Sequence, residues 1–476
     1  MISRELKFFK CCISLFMMGC FLIACNNKPS VQSFGWDELP AILKNIIPPS
    51  FPNKYFSILD YGARSDSTTD CLPAIKKAID ACHTAGGGHV IIPPGTYFVK
   101  GPVHLKSNVD FHLDFGAVIK FSTDPDDYLP LVLTRYEGIE LMNYSPLIYA
   151  YGQENIAVTG EGILDGQADN EHWWNWTGAK RFGWKEGMPS MRDPANRPAL
   201  ARMAAQGVPV KERIFGKGHY LRPAFLEVYR CKNVLVKGVT IKNTPFWILH
   251  PTLSQNITID SVTTISLGPN NDGCDPESCT DVLIENCFFS NGDDCIAIKS
   301  GRDQDGRRIN IPSKNIIIQN CRMEDGHCGV GIGSETSGGI ENVFAQNCTM
   351  SSPQLDRAVR IKSNECRSGV MKNFYFRNIQ VGEVREAVVR VNMFYGNEKG
   401  PDCHYPPSLS NVNIDHVTSN KSEYAVYIQG LQDKPVNGIH ISNCNFNHVK
   451  EKNIIGNAND VRINNTAING VKVSGK

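Results

Sequence analysis

Runs of four to six mainly apolar, β-branched residues recur along this chain, each opened by Asn, Asp or Gly and most closed by Asn. They include Asn233-Val-Leu-Val-Lys-Gly238, Asn256-Ile-Thr-Ile-Asp-Ser261, Asp281-Val-Leu-Ile-Glu-Asn286 and Asn315-Ile-Ile-Ile-Gln-Asn320, and continue through starts at Asn342, Asn373, Asn411, Gly438 and Asp460. Starts lie roughly 22 to 38 residues apart, the range in which one repeat buries its apolar face against the next. Few helical patterns intervene. Short strands without crossover helices predict an all-β fold, a right-handed parallel β-helix whose coils stack in order. Asparagine at a fixed place in each coil suits a turn with left-handed backbone angles, and its amide can pair with the one above.

An open first coil needs a cap. After the prolines at 48, 49 and 52, residues 56–62 read as a strand. Residues 70–82 then carry apolar spacing suited to a helix, with Asp70 as N-cap and Gly86-Gly87-Gly88 as a stop. This is the expected capping helix. Between 165 and 222 the repeat breaks, with Trp173, Trp174, Trp176 and Trp184 set among Gly, Pro, Arg and Lys. Such an insertion is either a cluster packed outside the solenoid or an aromatic wall of a binding groove.

The first 24 residues stand apart from the repeat. Arg4, Lys7 and Lys10 precede an apolar run from 11 to 24, short for a membrane span, which reads as a signal peptide. It ends Leu22-Ile23-Ala24-Cys25, resembling a bacterial lipobox, so Cys25 is the expected lipidated first residue of the mature chain, followed by a linker over 25–55. An ordinary signal peptide containing a cysteine is the alternative. Either way the chain is expected to be exported; on the lipobox reading it is an exported bacterial lipoprotein of the periplasm, outer membrane or cell surface, touching a membrane only through lipid at Cys25. The single β-helix domain is expected over 56–470.

Thirteen of the 17 cysteines lie from Cys71 onward, and an odd number cannot all pair. Cys287, Cys321, Cys348 and Cys444 each follow an asparagine at the same place in a coil, which reads as a buried ladder of small apolar residues rather than disulfides. Cys274, Cys279 and Cys403 are the places to look for a bond or a free thiol. With 41% hydrophobic and 20% charged residues the chain can bury a large core, and a net charge of +1 speaks against a nucleic-acid partner.

Chemistry concentrates on consecutive predicted coils. Asn270-Asn271-Asp272-Gly273 is followed by Gly292-Asp293-Asp294, then Gly326-His327-Cys328, then Arg360-Ile361-Lys362. One coil advances the chain by about 4.8 Å, so acids, imidazole and cations can line one groove. Taken singly, Asp272 is compatible with mere turn chemistry, and the charges at 360 and 362 with a solvated strand face. Two adjacent acids at the edge of an apolar run, Asp293 and Asp294, cost stability unless one is protonated or both are used.

The four motifs, in this order, resemble those of glycoside hydrolase family 28, the polygalacturonases, over roughly 55–465. Asn271 stands where that family has threonine, and Cys328 where it has glycine. The resemblance implies that Asp293 is the general acid, that Asp272 and Asp294 hold and deprotonate water, and that His327 tunes the acid. Hydrolysis with inversion then follows, with the acid and base carboxyls about 6.5 to 9.5 Å apart. Arg360 and Lys362 would bind a galacturonate carboxylate, with Asn271, Asp275, Lys299 and Tyr395 as further contacts. No metal or cofactor is implied, and the partner is a pectic polysaccharide or oligogalacturonide. The segments 275–278, 299–302 and 333–335 are similar to members that cut from the chain end, where Arg222 and Arg302 would clamp a terminal carboxylate. A rhamnogalacturonan or xylogalacturonan hydrolase, a calcium-dependent pectate lyase and a solenoid that only binds glycans stay open as alternatives.

Overall fold

Each repeated run forms a strand in a computed structural model that describes residues 34–396 and 403–475. The expected signal peptide and Cys25 lie outside these residues. Consecutive coils pair parallel and in register, so that Val234, Ile257, Val282, Ile316, Val343, Phe374, Val412, Ile439 and Val461 form one continuous row. From Val234 to Ile439 the row is buried. Burying each such side chain contributes about 1.5–3 kcal/mol, which drives stacking of coils that could not close a core alone. Three parallel ladders result. One holds that row, a second runs from Gly95–Val99 through Thr263–Ser266 and Arg322–Met323 to Asn445–Phe446, and a third runs from Val103–His104 through Leu249–Thr252 and Arg357–Lys362 to Ile454–Gly456.

The corners explain the asparagines. Asn233, Asn256, Asn315, Asn342, Asn373 and Asn411 all have φ between 54° and 63°, the left-handed region that asparagine tolerates. Their amides bond up the stack, Asn256 to Asn233 at 2.7 Å, Asn342 to Asn315 at 3.0 Å and Asn411 to Asn373 at 2.8 Å. At the next corner the thiols of Cys287, Cys321, Cys348 and Cys444 are buried, and each donates to the carbonyl two residues earlier. They form the expected ladder of free thiols. Cys274 and Cys279 are also free, and Cys403 is bonded to Cys366.

The first coil is covered by helix α2, here Leu72–Thr84, which buries Leu72, Ile75, Ala78, Ile79 and Cys82. It begins two residues later than the sequence suggests, because the Asp70 carboxylate accepts from both Leu72 N and Lys100 N and so ties the helix start to the strand beside it. The described part of the expected linker is not a linker. Trp36 lies 5.3 Å from the Phe344 ring with the Arg377 guanidinium 3.9 Å above it. Helix α1, Leu39–Asn45, buries Leu39 and Ile42 and packs on the strand Thr280–Glu285. Ile47 exchanges two hydrogen bonds with Asn256. Apolar residues at 36, 39 and 42 thus strap this segment across several coils, where a linker would expose them.

In the insertion, Trp173 is buried in the core, 4.9 Å from Trp176 and 5.7 Å from Tyr128, and the Trp174 indole donates to Thr244 O. These tryptophans form packing rather than a groove wall. A second apolar cluster joins helix α3, Arg197–Ala205, to the hairpin of Val132–Tyr136 and Ile139–Asn143 through Tyr136, Leu141, Leu200 and Phe246. That packing carries α3 to the side of the third ladder.

Candidate active site

The turn at 268–273 is built before it does chemistry. Arg222 is buried, and its guanidinium donates to Pro245 O at 2.9 Å, Pro269 O at 2.7 Å and Asn270 Oδ1 at 2.7 Å, while lying over the Phe246 ring. Asn271 is also buried, donating to the Thr244 and Phe246 carbonyls and accepting from Ser266 Oγ. Neither faces a groove, so the expected substrate contacts at Arg222 and Asn271 are corrected. Both pin the turn that delivers Asp272, because a buried guanidinium or amide must spend its donors on nearby carbonyls. Asp275 is likewise enclosed, 3.4 Å from Lys299 Nζ, and is no surface contact.

Ladder hydrogen bonds from Gly273 N to Asp294 O, Cys295 N to Cys328 O and Gly329 N to Arg357 O set Asp272, Asp294, Cys328 and Arg357 at equivalent places on successive coils. Asp294 is fully buried, with Lys362 Nζ 2.6 Å from one carboxylate oxygen and Cys328 Sγ 3.0 Å and Arg360 Nη1 3.4 Å from the other. Burial alone would raise its pKa, yet Lys362 and then Arg360 outweigh that and hold the carboxyl ionised, well below the usual range. Asp272 goes the other way. Burial first, then the charges of Asp275 and Asp293, push its carboxyl well above the ordinary value, against Lys299 at 3.6 Å. Burial pushes Asp275 up to about 8. One acid in the cluster therefore keeps a proton where its neighbour is charged.

Asp293 faces His327, Nδ1 to Oδ1 at 2.7 Å. Burial raises Asp293, but the imidazolium charge and hydrogen bond carry it below its ordinary value, while the Asp293 charge raises His327 to about 9. Gly326 sets this pair: its φ is +143°, and a Cβ there would overlap the Asp293 carbonyl. Asp293, Asp294 and His327 offer ligand atoms within 4.8 Å of one another. Their negative charge is already met by Lys362, Arg360 and the imidazolium, which disfavours a further cation.

Asp272, Asp293, Lys299 and Lys362 line a pocket of about 200 Å³ together with Trp247 and Tyr395. Tyr395 lies 5.0 Å from both the Arg360 and Lys362 charges, and Trp247 4.5 Å from Lys299. Glu137, Arg197, Arg302, Glu335 and Arg367 also line it. Glu137 joins two of these cations, at 2.6 Å from Arg197 and 2.9 Å from Arg302. Lys299, Arg302 and Tyr395 thus stand where the sequence places them, beside the acids. Glu137, Arg197, Trp247 and Arg367 were not foreseen. Arg197 lies in the tryptophan-rich insertion, where no repeat or motif marks it, and nothing near Glu137 in the sequence marks that residue.

Residues 214–469 match the family described as Glycosyl hydrolases family 28, and residues 55–123 match Rhamnogalacturonase A/epimerase, pectate lyase-like. The structure is similar to a hyperthermoactive exopolygalacturonase from Thermotoga maritima, with a TM-score of 0.88 and 45% identity over 92% of this chain and 98% of that one. A family 28 exopolygalacturonase from Yersinia enterocolitica shares the fold, with a TM-score of 0.67 at 24% identity over 89% of this chain and 79% of that one. A probable polygalacturonase from Vitis vinifera is 27% identical over 81% of this chain and 73% of its own. The exo-poly-alpha-D-galacturonosidase of Dickeya chrysanthemi is 27% identical over 80% of this chain and 65% of its own length. The family match spans more than half of the chain and contains all of its stacked acids and cations, so this chain belongs to glycosyl hydrolase family 28.

Proposed function

We propose that this protein hydrolyses α-1,4-galacturonosyl linkages of polygalacturonate from the chain end, releasing galacturonate with inversion. One observation carries the reading: Asp272 and Asp293 open into a pocket that five cations line, Lys299, Lys362, Arg197, Arg302 and Arg367. A neutral sugar has little use for such a wall, whereas a terminal uronate offers a carboxylate to it. The likeness to the Thermotoga maritima exopolygalacturonase supports the chain-end mode.

In this reading Asp293 protonates the glycosidic oxygen, since it lines the pocket and shares a proton with His327. Asp272 and Asp294 hold the attacking water, with Asp294 kept ionised as the base by Lys362 and Arg360. Lys362 and Lys299 take the uronate carboxylate, and Tyr395 and Trp247 supply ring faces. The Asp293–His327 pair carries its proton until pH rises through the raised His327 value of about 9. The alkaline limb of kcat/KM is therefore expected above neutrality. In His327→Gln the remaining proton sits on a carboxyl, and the limb moves to lower pH; an unmoved limb in a pH–rate profile contradicts the pairing.

The test is to incubate the protein with polygalacturonate and, separately, rhamnogalacturonan, sizing products over time. Galacturonate from the first minutes on polygalacturonate is the expected result. A ladder of oligomers removes the chain-end mode, and cleavage of rhamnogalacturonan alone moves the enzyme to that polymer. We further read residues 1–24 as an export signal and Cys25 as lipidated. Cell fractionation checks this: Cys25→Ser should move the protein from the membrane fraction to the soluble one, and an unchanged distribution overturns it.

A further inference from the structure

Cys328 has no task in the mechanism above, yet it touches the proposed base. It is fully buried, and its backbone is fixed in the ladder by the Cys295 N to Cys328 O bond of 2.8 Å. Its Sγ lies 3.0 Å from Asp294 Oδ1. Burial first, then the Asp294 charge, keep the thiol protonated, so it is the donor and the carboxylate the acceptor. Space for it is provided by Gly331, where a Cβ would fall 2.8 Å from Cys328 Sγ and 3.5 Å from Asp294 Oδ2. The contact is built on both sides.

The three groups on Asp294 differ in what else they can do. Lys362 lines the pocket, where a substrate carboxylate competes for it, whereas Arg360 is buried behind it and is not among the pocket-lining side chains. As Lys362 turns toward a uronate, Asp294 loses part of its hold. Cys328 cannot follow, because it has no route to the pocket. We infer that Cys328 is a positioning residue, whose thiol, with Arg360, fixes the Asp294 carboxylate in the attitude that holds the attacking water while Lys362 engages the substrate. This rests on the reading of Asp294 given above. The thiol adds one donor that carries no charge and so cannot bind substrate in place of Asp294.

The test uses the full-length protein with Cys328→Ala, Cys328→Ser and, for reference, Asp294→Asn. Removing one hydrogen bond to a carboxylate at the reacting centre is expected to lower kcat of Cys328→Ala about tenfold, with KM changed less than about twofold. Cys328→Ser, which keeps a hydroxyl donor, should recover most of kcat. The parent-minus-Cys328→Ser infrared difference spectrum should show one S–H stretch displaced by a strong acceptor, and Asp294→Asn should return that band toward the free-thiol position. Parental kcat in Cys328→Ala, or equal loss in the alanine and serine variants, overturns the inference, the second outcome marking mere packing. If Asp294→Asn is inactive in that case, the reading of the site stands without it. An active Asp294→Asn overturns the reading of Asp294 as base, and this inference with it.

Discussion

Replacing Asp293 with asparagine is expected to lower kcat on polygalacturonate about 10²- to 10⁴-fold, the usual contribution of a positioned general acid, while the fold persists. Asparagine keeps the shape of the side chain and accepts the backbone N–H of Asp294, which now bonds to Asp293 Oδ1 at 3.0 Å. It cannot carry the proton. His327 supplies an independent readout, because the Asp293 charge is the largest cause of its raised pKa. In the variant the imidazole should titrate nearer its ordinary value, visible by NMR, and the unfolding transition should remain cooperative. Near-parental activity would remove Asp293 as the acid.

Lys362→Met is expected to lower kcat/KM about 10²- to 10³-fold, through lost carboxylate binding and a weakened base together. Lys362 is the largest of the charges that depress the Asp294 pKa, and both side chains are buried. Taking one partner from a buried pair costs about 3–5 kcal/mol when the other is stranded. Arg360 and Cys328 still face Asp294, so a loss of about 3 kcal/mol at neutral pH is the expected value. Its pH dependence follows from the two shifts. The folded Asp294 pKa is depressed, so its contribution is present above the unfolded value of about 3.9 and fades as pH falls below it toward the folded one. The Lys362 pKa is raised, so its contribution is full below about 10.4 and fades as pH rises through the folded value. Urea unfolding of both proteins should therefore show a gap that is constant across neutral pH and narrows in acid. A gap that widened in acid would contradict the pairing.

What the sequence made legible was local. An asparagine that needs a left-handed corner marks itself every coil, and Asn233 through Asn411 reveal the solenoid because each answers the same backbone demand. The acids and cations were legible for a related reason: Asp272, Asp294 and Cys328 lie one ladder step apart, so coil spacing alone brings them together. Which way a side chain points was not legible. Arg222 and Asp275 are ionisable side chains of the kind that contact substrate, yet one is consumed by three oxygens around the Asn270 turn and the other lies enclosed beside Lys299.

The part of the pocket wall that Glu137 and Arg197 form was illegible for a different reason. Glu137 and Arg197 come from a hairpin and a helix far in sequence from the acids, and apolar packing of Tyr136, Leu200 and Phe246 brings them there. No motif records such a meeting. The strap formed by Trp36, Leu39 and Ile42 was missed because three apolar residues in a short stretch carry little periodic signal, and their partners Phe344 and Thr280–Glu285 lie hundreds of residues away.

In the proposed mechanism a single displacement takes place at the sugar carbon, by water held on Asp272 and Asp294, opposite the proton from Asp293. The most direct measurement is proton NMR of a fresh digest of polygalacturonate, read before the product mutarotates. An α-linked substrate must then give the β-anomer of galacturonate first, with the α-anomer growing in afterwards. Appearance of the α-anomer first, or of an unsaturated sugar, would contradict the account.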